Sequence, residues 1–376
     1  MLVPYSSVKI VYGICGIGNG HLYRQLPTLD HLINGSAFVE VFTYGSSYEY
    51  LKNRFRELPK VTVHCVAVPY IIGNPKGLDF EKSAQDPRNQ KDFFTINARI
   101  FADVDKRIGK PDLVISDYEP ISAQYAYAHG APLITIDQQS KFLLRGDWHP
   151  INGTSCIDEI MRLKLFFPRA TQRIACSFFD VTPSKGSSEN VTLIPPVMRP
   201  DVRAMGSSNK CCNSVLVYLS EQSPNDMQAS ELLKLLQEFP SWHFHLYCPA
   251  PDYQPIKTSS SNITIHSLRD NNFIHTLLSS SAIISTAGHS LLSEAMHLCI
   301  PVLCLPLSLF EQQINASVIA DNNFGVSVAE LSGSTVAHFL ENASNFAHNI
   351  QEDKKVLIKG DGSSLVRESI RRLITL

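Results

Sequence analysis

Short apolar runs alternate with helix-like runs along this chain, and the alternation occurs twice. The first series opens with Val8 to Ile14 (VKIVYGI) and a helical pattern from His21 to Ile33. Strands read next at Phe38–Thr43 and Val61–Val68, then a helix near Phe93–Ile108 and strands at Leu113–Ser116 and Pro132–Ile136. Residues 73–92 are polar and turn-rich, which predicts a long surface loop. The second series places strands at Ser214–Leu219, His243–Tyr247, Ile263–His266, Ala282–Ser285 and Val302–Leu305. Helices read at Gln228–Phe239, Asn272–Ser279 and His289–Leu298. Strands separated by helices imply βαβ units and parallel sheets. The expected fold class is α/β, in two halves of similar design.

A stretch rich in Gly, Ser and Pro at 186–212 separates the two series. It divides the chain into an amino-terminal domain, 1–195, and a carboxyl-terminal domain, 196–363. The length of 376 residues suits two cores, at about 100–200 residues per domain. The last run, Ser364–Ile374, is amphipathic, with Leu365, Ile370 and Leu373 read as one face. The tail 364–376 is expected to pack back on the first domain.

Charge and cysteines remove several function classes. The formal net charge is −2, without the basic stripe of a nucleic-acid binder. Nine cysteines include no CxxC pair, which argues against structural zinc and for buried thiols in a reducing compartment. No stretch approaches the roughly 18 apolar residues of a membrane span, and no signal-peptide pattern opens the chain. A cytoplasmic protein is expected, with peripheral contact at the inner face of a membrane as a further expectation. That contact would use Lys141-Phe-Leu-Leu-Arg145 and Lys164-Leu-Phe-Phe-Pro-Arg169, although core packing with flanking charges is the commoner explanation of such segments.

Three segments carry candidate chemistry. The first, Gly16-Ile-Gly18-Asn19-Gly20-His21, follows the first strand. Glycines there allow a tight turn and close approach to a ligand, and the helix that follows offers N–H groups and a positive dipole end. A dinucleotide fingerprint fits poorly, because His21 stands where the third glycine belongs. The second segment is Ser285-Thr-Ala-Gly288-His289-Ser290, opening a helix that carries Glu294. A diphosphate at that helix start would gain charge stabilisation, and Glu294 would accept hydrogen bonds from ribose hydroxyls. The third, Glu311-Gln312-Gln313-Ile-Asn315, follows the next strand, and its carboxylate and amides suit recognition of sugar hydroxyls.

The second and third segments together resemble the donor half of MurG-like and related UDP-sugar glycosyltransferases of the GT-B fold. The matching elements are Gly288-His289-Ser290, Glu294, Pro301-Val302 and Glu311-Gln312-Gln313-Ile314-Asn315. Gly20-His21 resembles the amino-terminal Gly-His of the same superfamily, and Arg199 resembles the arginine near its interdomain linker. The resemblance implies two Rossmann-like domains facing each other across a cleft that closes on the donor. It implies donor contacts from Gly288, His289 and Ser290 to the diphosphate, Glu294 to the ribose, and Glu311 and Gln312 to the sugar. Ser267 and Leu268 would hold the base, Ser220 would add a phosphate contact, and Arg199 would join the donor site. Leu219-Ser220-Glu-Gln-Ser-Pro lacks the family's glycines at that loop. Gly18, Asn19 and Gly20 would form the acceptor-side loop.

The implied reaction is transfer of a hexose or N-acetylhexosamine from a nucleotide diphosphate sugar, with UDP favoured by resemblance, in glycoconjugate or cell-envelope synthesis. The acceptor would be a hydroxyl of a glycan, a lipid-linked sugar or a small molecule. Inverting displacement needs a base for that hydroxyl, and His21 is the candidate. Asp117 would orient and charge-stabilise it, with Glu119 as fallback partner or base. No metal or other cofactor is required by this scheme. The triplet Asp103-Val-Asp105 reads as solvated helix surface rather than a metal site. Two other readings share the fold: a UDP-sugar epimerase-like enzyme and a non-catalytic binder of nucleotide sugars.

Overall fold

Apolar runs become buried parallel strands because helices cover both of their faces. A computed structural model describes residues 5, 7–74, 76–184, 187, 190–204, 213–219, 229–248, 262–268, 270 and 272–374. Two compact units result, one formed by Met1–Ser177, Val181–Arg199 and Gly360–Leu376, the other by Phe178–Asp180 and Pro200–Lys359.

The first unit contains β1 (Lys9–Ile14), β2 (Phe38–Thr43), β3 (Val61–Cys65), the short pair β4 (Ile72–Asn74) and β5 (Gly77–Asp79), then β6 (Leu113–Asp117), β7 (Leu133–Asp137), β8 (Gln172–Cys176) and β9 (Val191–Ile194). Seven of these form one sheet in the order β3-β2-β1-β6-β7-β8-β9, every pair parallel. Successive side chains of a strand face opposite sides, and β1 shows it. Ile10, Tyr12 and Ile14 join one core with Leu22 and Leu29 of helix Asn19–Asn34. Val11 joins the other, with Val104, Ile121 and Tyr125.

The second unit contains β10 (Ser214–Tyr218), β11 (His243–Cys248), β12 (Ile263–Ser267), β13 (Ala282–Ser285), β14 (Val302–Cys304) and β15 (Gly325–Ser327). They form a parallel sheet in the order β12-β11-β10-β13-β14-β15. The strand order reverses between β1 and β6 in one sheet and between β10 and β13 in the other. Phe178–Asp180 runs antiparallel to 356–358, through a bridge of Phe179 with Leu357 and two backbone bonds.

Two expectations need correction. Residues 73–92 are not one loop: they hold the β4–β5 pair, helix Phe80–Gln85 and the turn Pro87–Asn89. The polar residues there act as caps. Asp79 accepts from Lys82 N–H, Asp86 from Arg88 N–H, and Asn89 bonds the carbonyls of Tyr70 and Ser83. The carboxyl-terminal helix, Ser363–Ile374, buries Val366 and Ile370 and exposes Leu365. Val366, Ile370 and Leu373 follow the i, i+4, i+7 spacing of one face, whereas Leu365 lies off it. Val366 and Ile370 join the same core as β1, within the first unit.

Ile370→Ala should therefore cost the first unit about 2–5 kcal/mol, read by urea denaturation. Leu365→Ala should stay within about 0.5 kcal/mol of the parent. Equal effects of the two substitutions would contradict this packing.

Candidate functional site

Ligands of open parallel sheets bind beyond the strand carboxyl ends, where the strand order reverses. In the first unit that place lies between β1 and β6. The chain leaves β1 through Cys15–Gly18, and a side chain at Gly16 would overlap the Tyr44 carbonyl, its Cβ only 2.0 Å from the oxygen. Gly18 has φ +70° and precedes the helix that carries Asn19, Gly20 and His21 in its first turn. The same edge receives Asp117, the last residue of β6, and Tyr118 at φ +54°.

These elements converge on the Asp117 carboxylate, which is fully buried. Arg24 Nη2 donates to its Oδ1 at 2.7 Å, and Arg24 Nε to its Oδ2 at 3.2 Å. Gln25 Nε2 donates to Oδ2 at 2.8 Å and to the Ile136 carbonyl at 2.9 Å. The Tyr12 hydroxyl in turn donates to Gln25 Oε1 at 2.5 Å. His21 Nδ1 lies 3.0 Å from Asp117 Oδ1 and 2.9 Å from Arg24 Nη2. Burial alone would push the Asp117 carboxyl up, but the Arg24 guanidinium, with a lesser contribution from His21, outweighs it and holds the group below the usual value. The His21 ring stacks beside Tyr118, with centroids 6.3 Å apart, and its side chain stays 17% exposed.

Glu119 is not brought to His21, so its expected place as fallback partner or base is corrected. Its two carboxylate oxygens accept from the N–H groups of Ile121 and Ser122, each at 2.7 Å, and cap helix Pro120–His129. Gly13 makes room for that carboxylate, since a Cβ there would lie 2.7 Å from Glu119 Oε2. Burial pushes the Glu119 carboxyl up to about 7.

In the second unit the strand order reverses between β10 and β13. Ser220, expected beyond β10, lies outside the described residues. Thr286, Ala287 and Gly288 lead from β13 into helix His289–His297. The left-handed conformation falls on Ala287, at φ +62°, rather than on Gly288. Asn315 Nδ2 donates to the Ala287 carbonyl at 3.1 Å and holds that turn. Gly288 has φ −65°, and among the described residues a Cβ there would meet no atom within 4 Å beyond its chain neighbours. The first helical turn directs backbone N–H groups out of the helix end beside that space.

The other residues expected to contact the donor differ in their surroundings. The His289 ring is buried, 5.3 Å from the Phe178 ring and 3.3 Å from Ser293 Oγ, and Ser290 is half-buried. Glu294 is 7% exposed and so is no solvated helix residue. Glu311 and Gln312 are half-buried in the first turn of helix Phe310–Asp321. Gln312 Oε1 accepts from Leu307 N–H at 2.9 Å, which ties that amide to its own loop. Ser267, at the end of β12, is exposed, and Leu268 is half-buried. Arg199 belongs to the first unit, its guanidinium 5.3 Å from the Tyr23 ring.

Two other segments read from sequence resolve differently. Lys141 to Leu144 are all buried, so this segment presents no apolar face to a membrane. In 164–169, Leu165 is exposed and Phe167 buried. Asp105 accepts from the Tyr125 hydroxyl at 2.6 Å and pairs with His129 at 2.9 Å. Among the described residues, no group of three or more His, Cys, Asp or Glu is placed to hold a metal ion, and no helix is long and apolar enough to cross a membrane.

Arg24, Gln25, Tyr118 and the role of Asn315 escaped the sequence reading. A signal for the first two was present: they stand three and four residues after His21, on one helix face, where a buried helix should be apolar. Asp117→Asn would leave Arg24 buried without its counter-charge, at a cost of about 3–5 kcal/mol at neutral pH. The folded carboxyl lies below its unfolded value, so the unfolded chain binds more protons between the two. Parental stability from this group is complete above about pH 4 and falls as pH drops through the folded value. Urea melts of both proteins should therefore converge in acid, and a deficit constant with pH would count against the pairing.

Comparison with known proteins now adds a family. A model of a family described as "Glycosyl transferase family 1" matches residues 8–344. No curated protein matches the chain significantly in sequence. Among solved structures, a UDP-glucosyltransferase from Polygonum tinctorium capable of glucosylating indoxyl aligns with TM-score 0.68 and 12% identity, covering 98% of this chain and 99% of that one. A UDP-glucose: anthocyanidin 3-O-glucosyltransferase in complex with UDP aligns with TM-score 0.65 and 13% identity, over 98% and 99%. A spinosyn forosaminyltransferase aligns with TM-score 0.58 and 14% identity, over 98% and 100%. At such identities the likeness concerns the fold, two Rossmann-like α/β domains of the GT-B type.

Proposed function

The chain belongs to glycosyl transferase family 1, and from that premise we propose that it moves a sugar from a nucleotide diphosphate donor to an acceptor hydroxyl with inversion. UDP is the favoured donor nucleotide, because structural neighbours include a glucosyltransferase in complex with UDP. The sugar is a hexose or N-acetylhexosamine, and the acceptor a glycan, a lipid-linked sugar or a small molecule.

In this reading the acceptor oxygen attacks the anomeric carbon as its proton passes to His21 Nε2. The bond from that carbon to the diphosphate breaks, and its electron pair leaves with the nucleotide. The observation that carries the reading is His21: its Nδ1 lies 3.0 Å from a buried carboxylate while the ring stays partly open to solvent. Asp117 orients the ring and stabilises the charge it acquires. The growing charge on the diphosphate is met by the helix start at Gly288, His289 and Ser290, where backbone N–H groups and the helix dipole favour an anion. The open space at Gly288 supports this, since a phosphate can approach the main chain there. Those donors stabilise the leaving group without a metal ion. Glu294 takes the ribose, Glu311 and Gln312 the sugar, and Ser267 and Leu268 the base, with Ser220 and Arg199 as further donor contacts and Gly18 to Gly20 on the acceptor side.

Thermal-shift screening against UDP, dTDP and GDP, each with its sugars, identifies the donor, because stabilisation grows with ligand concentration over affinity. With that donor, His21→Ala should lower kcat roughly 10²–10⁴-fold and leave calorimetric donor binding unchanged. Glu294→Ala should weaken donor binding about tenfold or more, the worth of one charge-assisted hydrogen bond. The opposite pattern would reverse the two roles, and conversion of donor without any acceptor would favour the epimerase-like enzyme.

Peripheral membrane contact is the second part of the proposal. Ile157, Met161 and Leu165 are exposed at i, i+4 and i+8 of helix Ile157–Phe166, with Lys164 and Arg169 exposed nearby. Sedimentation with anionic liposomes at low salt should carry the protein down, and Leu165→Ser should reduce that fraction. Complete absence of sedimentation would end the idea.

A further inference from the structure

A buried carboxylate needs a cation, and this site offers two. Asp117 is within hydrogen-bond distance of both the Arg24 guanidinium and the His21 ring. Arg24 is itself buried and reaches both carboxylate oxygens. Its Nη2 also stands 2.9 Å from His21 Nδ1, so the ring nitrogen faces a positive and a negative partner at nearly equal distances. An imidazole beside a lone buried carboxylate would be drawn into service as its counter-ion. Once protonated on both nitrogens it has no lone pair with which to accept a proton.

We propose that Arg24 is a positioning residue which serves as the standing counter-ion of Asp117 and thereby leaves His21 neutral and able to accept the acceptor's proton. The inference rests on the reading of His21 as base and goes beyond it, by assigning the control of that base to a residue that touches no substrate. Asp117 then orients His21 Nδ1–H, and its charge is balanced before the reaction starts. Only when the acceptor proton arrives does the ring share the carboxylate with Arg24.

Among the described residues, the other nearby cations face other groups: Arg162 faces Tyr118 and pairs with Glu159, and Arg173 faces Asp137 and donates to the Phe167 carbonyl. Beside the ring stands Tyr118, whose hydroxyl donates to Glu159 at 2.6 Å and is pushed up by burial. Behind Arg24 and Asp117, burial pushes up the Tyr12 hydroxyl, the Cys15 thiol to about 11 and the Cys176 thiol to about 12. Asp137 is the second buried acid near Asp117. Its carboxyl is pushed up by burial and accepts from the N–H and hydroxyl of Ser140 at 2.6 and 2.9 Å. Arg24 is thus the permanent positive charge in direct contact with both members of the dyad.

The test reads the His21 ring itself, by ¹⁵N nuclear magnetic resonance of histidine-labelled full-length protein, with His21→Ala to assign the signal. In Arg24→Met the ring should titrate about 1–3 pH units higher than in the parent, and the acid limb of kcat/KM should move up with it. Arg24→Lys should restore both. The double variant Arg24→Met/Asp117→Asn buries no lone charge and should bring the ring back near the parental midpoint. If Arg24→Met does not fold, Arg24→Gln, which still donates to Asp117 but carries no charge, is read in the same way. A ring that titrates in the uncharged variants as in the parent, with activity lowered by one factor at every pH, overturns the proposal and leaves Arg24 a purely structural ion pair. Undiminished turnover in His21→Ala would instead sink the base reading, and the ring titration would still decide what Arg24 does.

Discussion

A carboxylate with no exposure sits at the end of β6, and the first unit is organised around satisfying it. Desolvation of that charge is offset only by donors held in the right places. Arg24 and Gln25 supply them from the second turn of helix Asn19–Asn34, which pins the helix to the strand edge. Gln25 extends the link to the Tyr12 hydroxyl on β1 and to the Ile136 carbonyl on β7. Three neighbouring strands and the first helix therefore share one buried network. His21 stands one turn before Arg24 on that helix, so its ring position follows from the same constraint. Polar networks of this kind hold a group in place only when every member is satisfied.

The second unit solves a different problem with main chain. Its candidate phosphate position rests on a helix start beside Gly288, where a Cβ would meet no atom of the described residues within 4 Å. The left-handed turn before it falls on Ala287, an energetic cost that a glycine would not carry. Asn315, on the next helix, holds the carbonyl of that strained residue. The glycine is placed one residue later, where the backbone is ordinary and the absence of a side chain leaves room. Conformational strain and ligand access are thus divided between two adjacent residues.

Much of this was legible in the sequence for local reasons. Ala282–Ser285 reads as a strand and His289 as a helix start because apolar runs and small-residue turns act over a few residues. The reading failed where a residue's partner is distant or its local use was misjudged. Glu119 looked like a site acid, yet it caps its own helix two and three residues on. Polar residues at 73–92 suggested solvent and instead close short turns and a short helix.

By itself, the sequence determined the two βαβ series, the glycine turn before His21, the helix start at 289 and the resemblance to a glycosyltransferase family. Each depends on periodicity or turn chemistry within a dozen residues or so. The pairing of Asp117 with His21 was anticipated, but tertiary structure alone decided that Arg24 and Gln25 meet the same carboxylate from more than ninety positions away. That meeting depends on β6 pairing beside β1, a strand order that no local pattern encodes. Buried charge is settled by whichever donors the finished sheet brings within reach, and so the state of the candidate base is a property of the fold rather than of its motif.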